Sequence, residues 1–196
     1  MTSRLSPTGF HGMVGITPDL ITLGKYVGGG LSFGAFGGRA DILARFDPRE
    51  AGAWPHAGTF NNNVFTMAAG LAGLTHVYTA ERATALNAAG DGLRARLNEA
   101  VARQSVPITV TGLGSMMAVH AGATAPTSPI EAAKRNRRLI DLMHLDLIRA
   151  GVYTARRGMI VLSLPMEKTE HDGLVAAFEE FLASRHALID AAAEGE

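Results

Sequence analysis

Cysteine is absent from all 196 residues, which removes disulfides and thiolate metal sites and fits a reducing cytoplasm. Neither charge is in excess. Eighteen lysines and arginines balance eighteen aspartates and glutamates, and the pI is near 7.1. A chain so balanced carries no electrostatic footprint for nucleic acid or an anionic membrane surface. No apolar run approaches the ~20 residues of a membrane span, and the stretch from Met1 to Pro7 lacks the apolar core of a signal peptide. The seven histidines show no metal-ligand spacing, and no His-Glu-x-x-His occurs. Ser32, Ser115 and Ser163 lie near glycines but lack the surroundings of a nucleophile elbow. Lysine is scarce as well, with three (Lys25, Lys134 and Lys168) among the eighteen basic residues.

What remains is a chain with 47% hydrophobic residues. That is enough to bury a core in one or two domains and argues against disorder. Its organising stretch runs from Asp19 to Arg39. Leu20 to Leu23 is a short apolar run that predicts a buried strand. Lys25 follows, then Gly28 to Gly30, then a second apolar stretch from Phe33 to Phe36. Lys134 and Lys168 stand among charged residues on predicted helices, whereas Lys25 has apolar and glycine neighbours. A buried or half-buried lysine has its ammonium form destabilised, so the free amine becomes available to attack a carbonyl. A lysine that merely marks a strand end beside a tight turn would look the same. Two nucleotide motifs fail by spelling. Asp19 stands where the first P-loop glycine belongs and Tyr26 follows the lysine. A dinucleotide fingerprint begun at Gly28 and Gly30 meets Phe33 at its third position, and one begun at Gly112 and Gly114 meets Met117.

The segment from Thr22 to Arg39 resembles the Schiff-base lysine segment of class III pyridoxal-phosphate aminotransferases. The nearest likeness is to the glutamate-1-semialdehyde aminomutase group and its β-amino-acid transaminase relatives. His56 to Asn63 resembles the second marker of that family, and Met1 to Pro7 and Ala155 to Pro165 match it in order and spacing. The resemblance implies pyridoxal 5'-phosphate as cofactor, Lys25 as the Schiff-base and proton-shuttling residue, and Gly58 and Thr59 as cofactor-binding residues. In the family the threonine matching Thr59 binds the phosphate of the neighbouring subunit, which implies a homodimer with a shared site. The implied partner is a small amino or keto substrate. The implied fold is α/β: the C-terminal half of an aspartate-aminotransferase-like fold, comprising the remainder of the large-domain sheet and a small α+β C-terminal domain. The family's aspartate at the pyridine nitrogen, its phosphate loop and its ring-stacking aromatic all correspond to positions before Met1. The isolated chain is therefore expected to be a fragment with little activity. A small α/β binding protein with a coincidental lysine is the other class that the residues allow.

Read in order, residues 1–18 are turn-rich and irregular. A large-domain portion over 1–78, a connecting helix over 79–106 and a small domain over 107–196 are expected. Ala40 to Phe46 predicts a short helix ended by Asp47-Pro48. Asn61 to Asn63 are cap candidates for a buried helix over Val64–Val77. Those asparagines, with His56 and Thr59, also suit an anion at a helix N-terminus. A second helix over Ala80–Arg103 directs Leu86, Leu93, Leu97 and Val101 to one face. Beyond Pro107 the pattern is strand, helix, strand, helix, with a capping-box start at Ser128 to Glu131. The helix begun there carries Leu139, Ile140, Met143 and Leu147 inward and stops at Gly151. The second strand spans Met159–Leu164, Thr169 caps the final helix, and Ala191 to Glu196 are expected to fray. Arg156 and Arg157 precede that strand and could grip a substrate carboxylate or remain a solvated pair. Many class III aminotransferases carry a carboxylate-binding arginine within the strand resembling Ile160 to Leu164. Here that strand holds only apolar residues and Ser163, a departure that points to the aminomutase-like branch.

Overall fold

A computed structural model describes residues 2–194. The chain divides into two compact units, Met1–Thr84 and Ala85–Glu196.

The first unit begins with a 3-10 turn at Thr2–Arg4 and the short helix α1 (Gly9–Met13). Strands β1 (Leu20–Gly24) and β2 (Gly34–Gly38) pair antiparallel in register from Leu20 opposite Gly38 to Gly24 opposite Gly34. Arg39 ties the open end of this ribbon. Its Nη1 donates to Asp19 Oδ1 at 2.7 Å, and its Nε and Nη2 grip both oxygens of Asp41. Beside that guanidinium the Asp41 carboxyl is held below the usual carboxylate range. Helix α2 (Ala40–Leu43) and a 3-10 turn over Ala44–Phe46 follow. Helix α3 (Val64–Ala72) continues as one π-helical turn over Gly73–Val77.

Two expectations about this unit are overturned. The lysine strand is not buried: Leu20 is 45% and Leu23 39% exposed, because a two-stranded ribbon has little surface to bury against. Helix α3 forms as expected but is mostly exposed, with Phe65 at 79% and only Thr66 and Gly70 buried. Its sequence is apolar on all sides, yet only the small-residue side meets the rest of the unit.

The second unit opens within α4 (Ala80–Gln104), which buries Leu86, Leu93, Leu97 and Val101 as their spacing requires. Where one strand is expected just beyond Pro107, the chain forms an antiparallel hairpin of β3 (Ile108–Leu113) and β4 (Met116–Ala121). The hairpin turn docks on α4. Asn87 Oδ1 accepts from Ser115 N at 2.8 Å, and Asp91 Oδ1 accepts from Gly114 N at 3.0 Å. Asn98 clasps Val110 on both sides, accepting from its N–H at 3.1 Å and donating to its carbonyl at 2.9 Å.

The single helix expected after Ser128 is two. Helix α5 (Pro129–Lys134) is capped by Ser128, and α6 (Arg137–Arg149) starts anew where the Asn136 side chain accepts from Leu139 N. Strand β5 (Met159–Val161) is shorter than expected and pairs with β4 to complete the order β3-β4-β5. Helix α7 (Lys168–Ser184) is capped by Glu167, not Thr169, through a reciprocal bond with Glu170. The tail is helical rather than frayed as far as Glu194, in α8 (His186–Glu194). Residues 195 and 196 lie outside the described residues. The core gathers Leu93, Leu97, Met143, Leu147, Phe178, Phe181, Leu182 and Ile189, each almost fully buried. No described helix is long and apolar enough to cross a membrane.

Candidate functional site

Lys25 leaves the end of β1 and opens a 3-10 turn over Lys25–Gly28. Its φ is 59°, in the left-handed region that a residue with a side chain pays roughly 1–2 kcal/mol to enter. Such outliers persist only where the surroundings over-determine them, and they cluster at functional sites. The side chain is exposed, so the buried setting expected from its neighbours is not what distinguishes it. The strand end delivers Lys25 to the surface just as the chain turns.

The glycines explain how the turn is held. A Cβ on Gly70 of α3 would come to 2.8 Å from the carbonyl oxygen of Val27, and one on Gly28 to 2.5 Å from Phe33 Cβ. Gly29, at φ 61°, offers its bare Cα to the carbonyl of Ala69, where a methyl group would overlap that oxygen. The lysine turn and α3 thus touch backbone to backbone, a proximity only glycine permits. These glycines lock a turn to a helix.

On the other flank lies an aromatic and hydroxyl cluster. Tyr26 stacks edge-on against Tyr78, with ring centroids 5.2 Å apart, and the Arg4 guanidinium lies 5.5 Å from the Tyr26 ring centre. The Tyr26 hydroxyl is 2.5 Å from Ser3 Oγ, and the Tyr78 hydroxyl donates to the Arg4 carbonyl at 3.0 Å. Burial, with Tyr26 alongside, pushes the Tyr78 phenol above its ordinary value. Sequence reasoning missed this cluster. Its members are up to 74 positions apart, and no spacing rule links them.

The second candidate cluster sits before α3. Gly58 and Thr59 are exposed, with Thr59 opening the turn that runs to Asn62. Asn61 N donates to the Gly58 carbonyl at 3.0 Å, and the Asn61 side chain lies over Gly58 so closely that a Cβ would clash. Asn62 is left-handed at φ 58°. Asn63 alone does the expected capping, accepting from Thr66 N at 3.1 Å. His56 meets Phe36 edge-on at 5.2 Å and Phe46 at 6.1 Å, and Phe46 in turn meets Trp54. A cleft of about 550 Å³ is lined by Ser32, Phe33, His56, Asn61 to Asn63 and Thr66. Neither Lys25 nor Thr59 lines that cleft, and an adjoining one is lined by Thr22 and Leu23 of β1 together with His56, Asn61 and Asn62.

In the second unit Arg156 is already engaged. Its Nε and Nη2 grip both oxygens of Asp141 at 2.9 and 2.7 Å, and the guanidinium holds that carboxyl below the usual carboxylate range. Among the described residues Arg157 reaches the sulfur of Met159. Among the described residues no group of His, Asp or Glu is disposed to hold a metal ion.

The sequence profile of the class-III aminotransferases matches residues 5–182. Over 189 residues the chain is 49% identical to β-phenylalanine transaminase of Variovorax paradoxus, covering 96% of this chain and 43% of that protein. The crystal structure of that enzyme superposes with a TM-score of 0.91 over 96% of this chain and 44% of its own. Glutamate-1-semialdehyde 2,1-aminomutase 1 of Macrococcus caseolyticus is 35% identical over 162 residues, which are 83% of this chain and 37% of that one. A transaminase solved with pyridoxal phosphate bound superposes with a TM-score of 0.81 at 26% identity, over 95% of this chain and 43% of its own. The chain spans less than half the length of these relatives. Its fold is the corresponding C-terminal portion of the pyridoxal-phosphate transaminase fold, and the cofactor of the family is pyridoxal phosphate. By sequence and by fold, this chain belongs to the class-III aminotransferases, beside the β-amino-acid transaminases and glutamate-1-semialdehyde aminomutases.

Proposed function

We propose that the chain contributes the lysine and a phosphate-binding turn to an enzyme that moves an amino group with pyridoxal phosphate. The observation that carries this reading is the conformation of Lys25: exposed, left-handed, at a strand end, and locked to α3 through glycine contacts. The residues fit the cofactor. Lys25 presents a primary amine able to hold its aldehyde carbon covalently. Gly58 and Thr59 offer backbone N–H and hydroxyl groups in an exposed turn, suited to a phosphate of the neighbouring subunit in a two-fold dimer.

When bound, pyridoxal phosphate supplies an electron sink for the carbon that loses its proton. The work of this chain is then to orient and to move protons. With the cofactor in place, Lys25 Nζ would take the proton from the carbon bearing the amino group and later return one. The left-handed turn fixes where that amine starts from. Identity with β-phenylalanine transaminase over nearly the whole chain supports a β-amino acid as donor, with transfer between molecules rather than within one.

Borohydride reduction of the cofactor-treated protein, followed by peptide mapping, tests the reading. The label is expected on Lys25, and labelling of Lys134 or Lys168 instead would overturn it. Turnover is expected to need sequence beyond the 196 residues, because the matched region is 43% of the transaminase relative. Robust amino transfer from β-phenylalanine by this chain alone would contradict that.

A further inference from the structure

The left-handed conformation of Lys25 is unfavourable and needs surroundings that hold it. The glycine contacts with α3 act at the far end of the turn. Nearer the lysine stands the hydroxyl cluster at Tyr26, the residue directly after Lys25. Three observations converge there. Tyr26 Oη meets Ser3 Oγ at 2.5 Å, which anchors the turn to a segment 23 residues earlier in the chain. Tyr78 packs edge-on against the Tyr26 ring and donates to the Arg4 carbonyl, so the same early segment is bonded twice. The π-helical turn over Gly73–Val77 ends with Tyr78 N donating to the Gly73 carbonyl at 2.7 Å, and it is this turn that brings Tyr78 to Tyr26. A π-turn inside a helix is locally unfavourable and frequent at functional sites.

We infer that the Ser3–Tyr26 hydroxyl pair, buttressed by Tyr78, is a positioning device that holds Lys25 in its left-handed conformation and fixes the origin of its amine. None of the three touches a reacting atom in this assignment; each acts through Lys25. The inference rests on the reading of Lys25 as the cofactor lysine. It also makes a claim about Lys25 that can be tested without cofactor.

The experiment compares the wild-type protein with Ser3→Ala, Tyr26→Phe and the double variant, taking exposed Tyr153→Phe as a control. Covalent capture of pyridoxal phosphate at Lys25 is followed by quenching with borohydride over time, and the equilibrium affinity for pyridoxine phosphate, which lacks the aldehyde and cannot bond to Lys25, is measured separately. Each single variant is expected to slow capture about fivefold, the factor one net hydrogen bond is worth. Affinity should not change, and the double variant should be no slower, because both changes remove the same bond. Unchanged capture, or capture slowed only in proportion to lost affinity, would overturn the inference. If the wild-type protein takes no cofactor at Lys25, the functional reading fails, and a second measurement decides the positioning claim. Reductive methylation with formaldehyde compares Lys25 with Lys134 and Lys168 in the same molecule. A change of about fivefold in that ratio, the same worth of one hydrogen bond, supports positioning, and an unchanged ratio refutes it. Should Tyr26→Phe fail to fold, Tyr78→Phe, which removes the bond to the Arg4 carbonyl, takes its place under the same criteria.

Discussion

Replacing Gly29 by alanine isolates the contact that seats the lysine turn. Two costs add there. Alanine at φ 61° is in the left-handed region, at about 1–2 kcal/mol. Its methyl group would also overlap the carbonyl of Ala69, and relieving such crowding costs about 1–3 kcal/mol. Together they predict a loss of roughly 2–5 kcal/mol, a large share of the ~5–15 kcal/mol that stabilises a typical protein. Two neighbours separate the components. Gly30 has φ 94° and open space around its Cα, so Gly30→Ala should pay only the conformational cost of about 1–2 kcal/mol. Gly34 in β2 has open space and no left-handed φ, so Gly34→Ala should be neutral or stabilising by about 0.5–1 kcal/mol. Urea unfolding of the three variants, read as shifts of midpoint at constant slope, gives the series directly. The expected order of stability is Gly34→Ala, Gly30→Ala, Gly29→Ala. A Gly29→Ala protein as stable as Gly30→Ala would show that the lysine turn and α3 do not meet backbone to backbone.

The other expectations are independent of that contact. Thr59→Ala should weaken cofactor retention by about 1–3 kcal/mol, the worth of a charge-assisted hydrogen bond, in a dialysis assay. Full-strength retention by a monomer would contradict the shared-site reading. Asn98→Ala should cost about 1–3 kcal/mol in thermal unfolding, because it leaves the N–H and C=O of buried Val110 without their partner. Asn98→Asp should lose the donated bond and keep the accepted one. Arg185 grips Asp146 at 2.8 and 3.2 Å and holds its carboxyl below the ordinary value. A depressed folded-state pKa stabilises above the unfolded value, near 3.9, and that stabilisation is lost as pH falls through the folded value. The melting-temperature gap between wild type and Asp146→Asn should therefore be widest near neutral pH and close below about pH 4. A gap independent of pH would remove Asp146 as its source.

The local elements were legible in the sequence. Leu86, Leu93, Leu97 and Val101 recur at helical spacing, and α4 buries them because that spacing places them on one face. Asn63 and Ser128 cap the helices that follow them, since a cap is an interaction over three residues. The candidate site residues Lys25, Gly58 and Thr59 came from the resemblance of their segments to a family, and their roles rest on the proposed function. Physical reading of the neighbours alone gave the wrong setting for Lys25, because apolar composition does not reveal whether a strand has anything to pack against. Leu20 and Leu23 are exposed for that reason, and so is most of α3. Tertiary structure alone decided three things. It set the left-handed turn at Lys25, the backbone contact of Gly29 and Gly70 with their neighbours, and the convergence of Ser3, Tyr26 and Tyr78. Each depends on which distant segment fills the space beside the turn. Hydrophobic periodicity and capping rules act over a few residues, so they leave such long-range contacts undetermined.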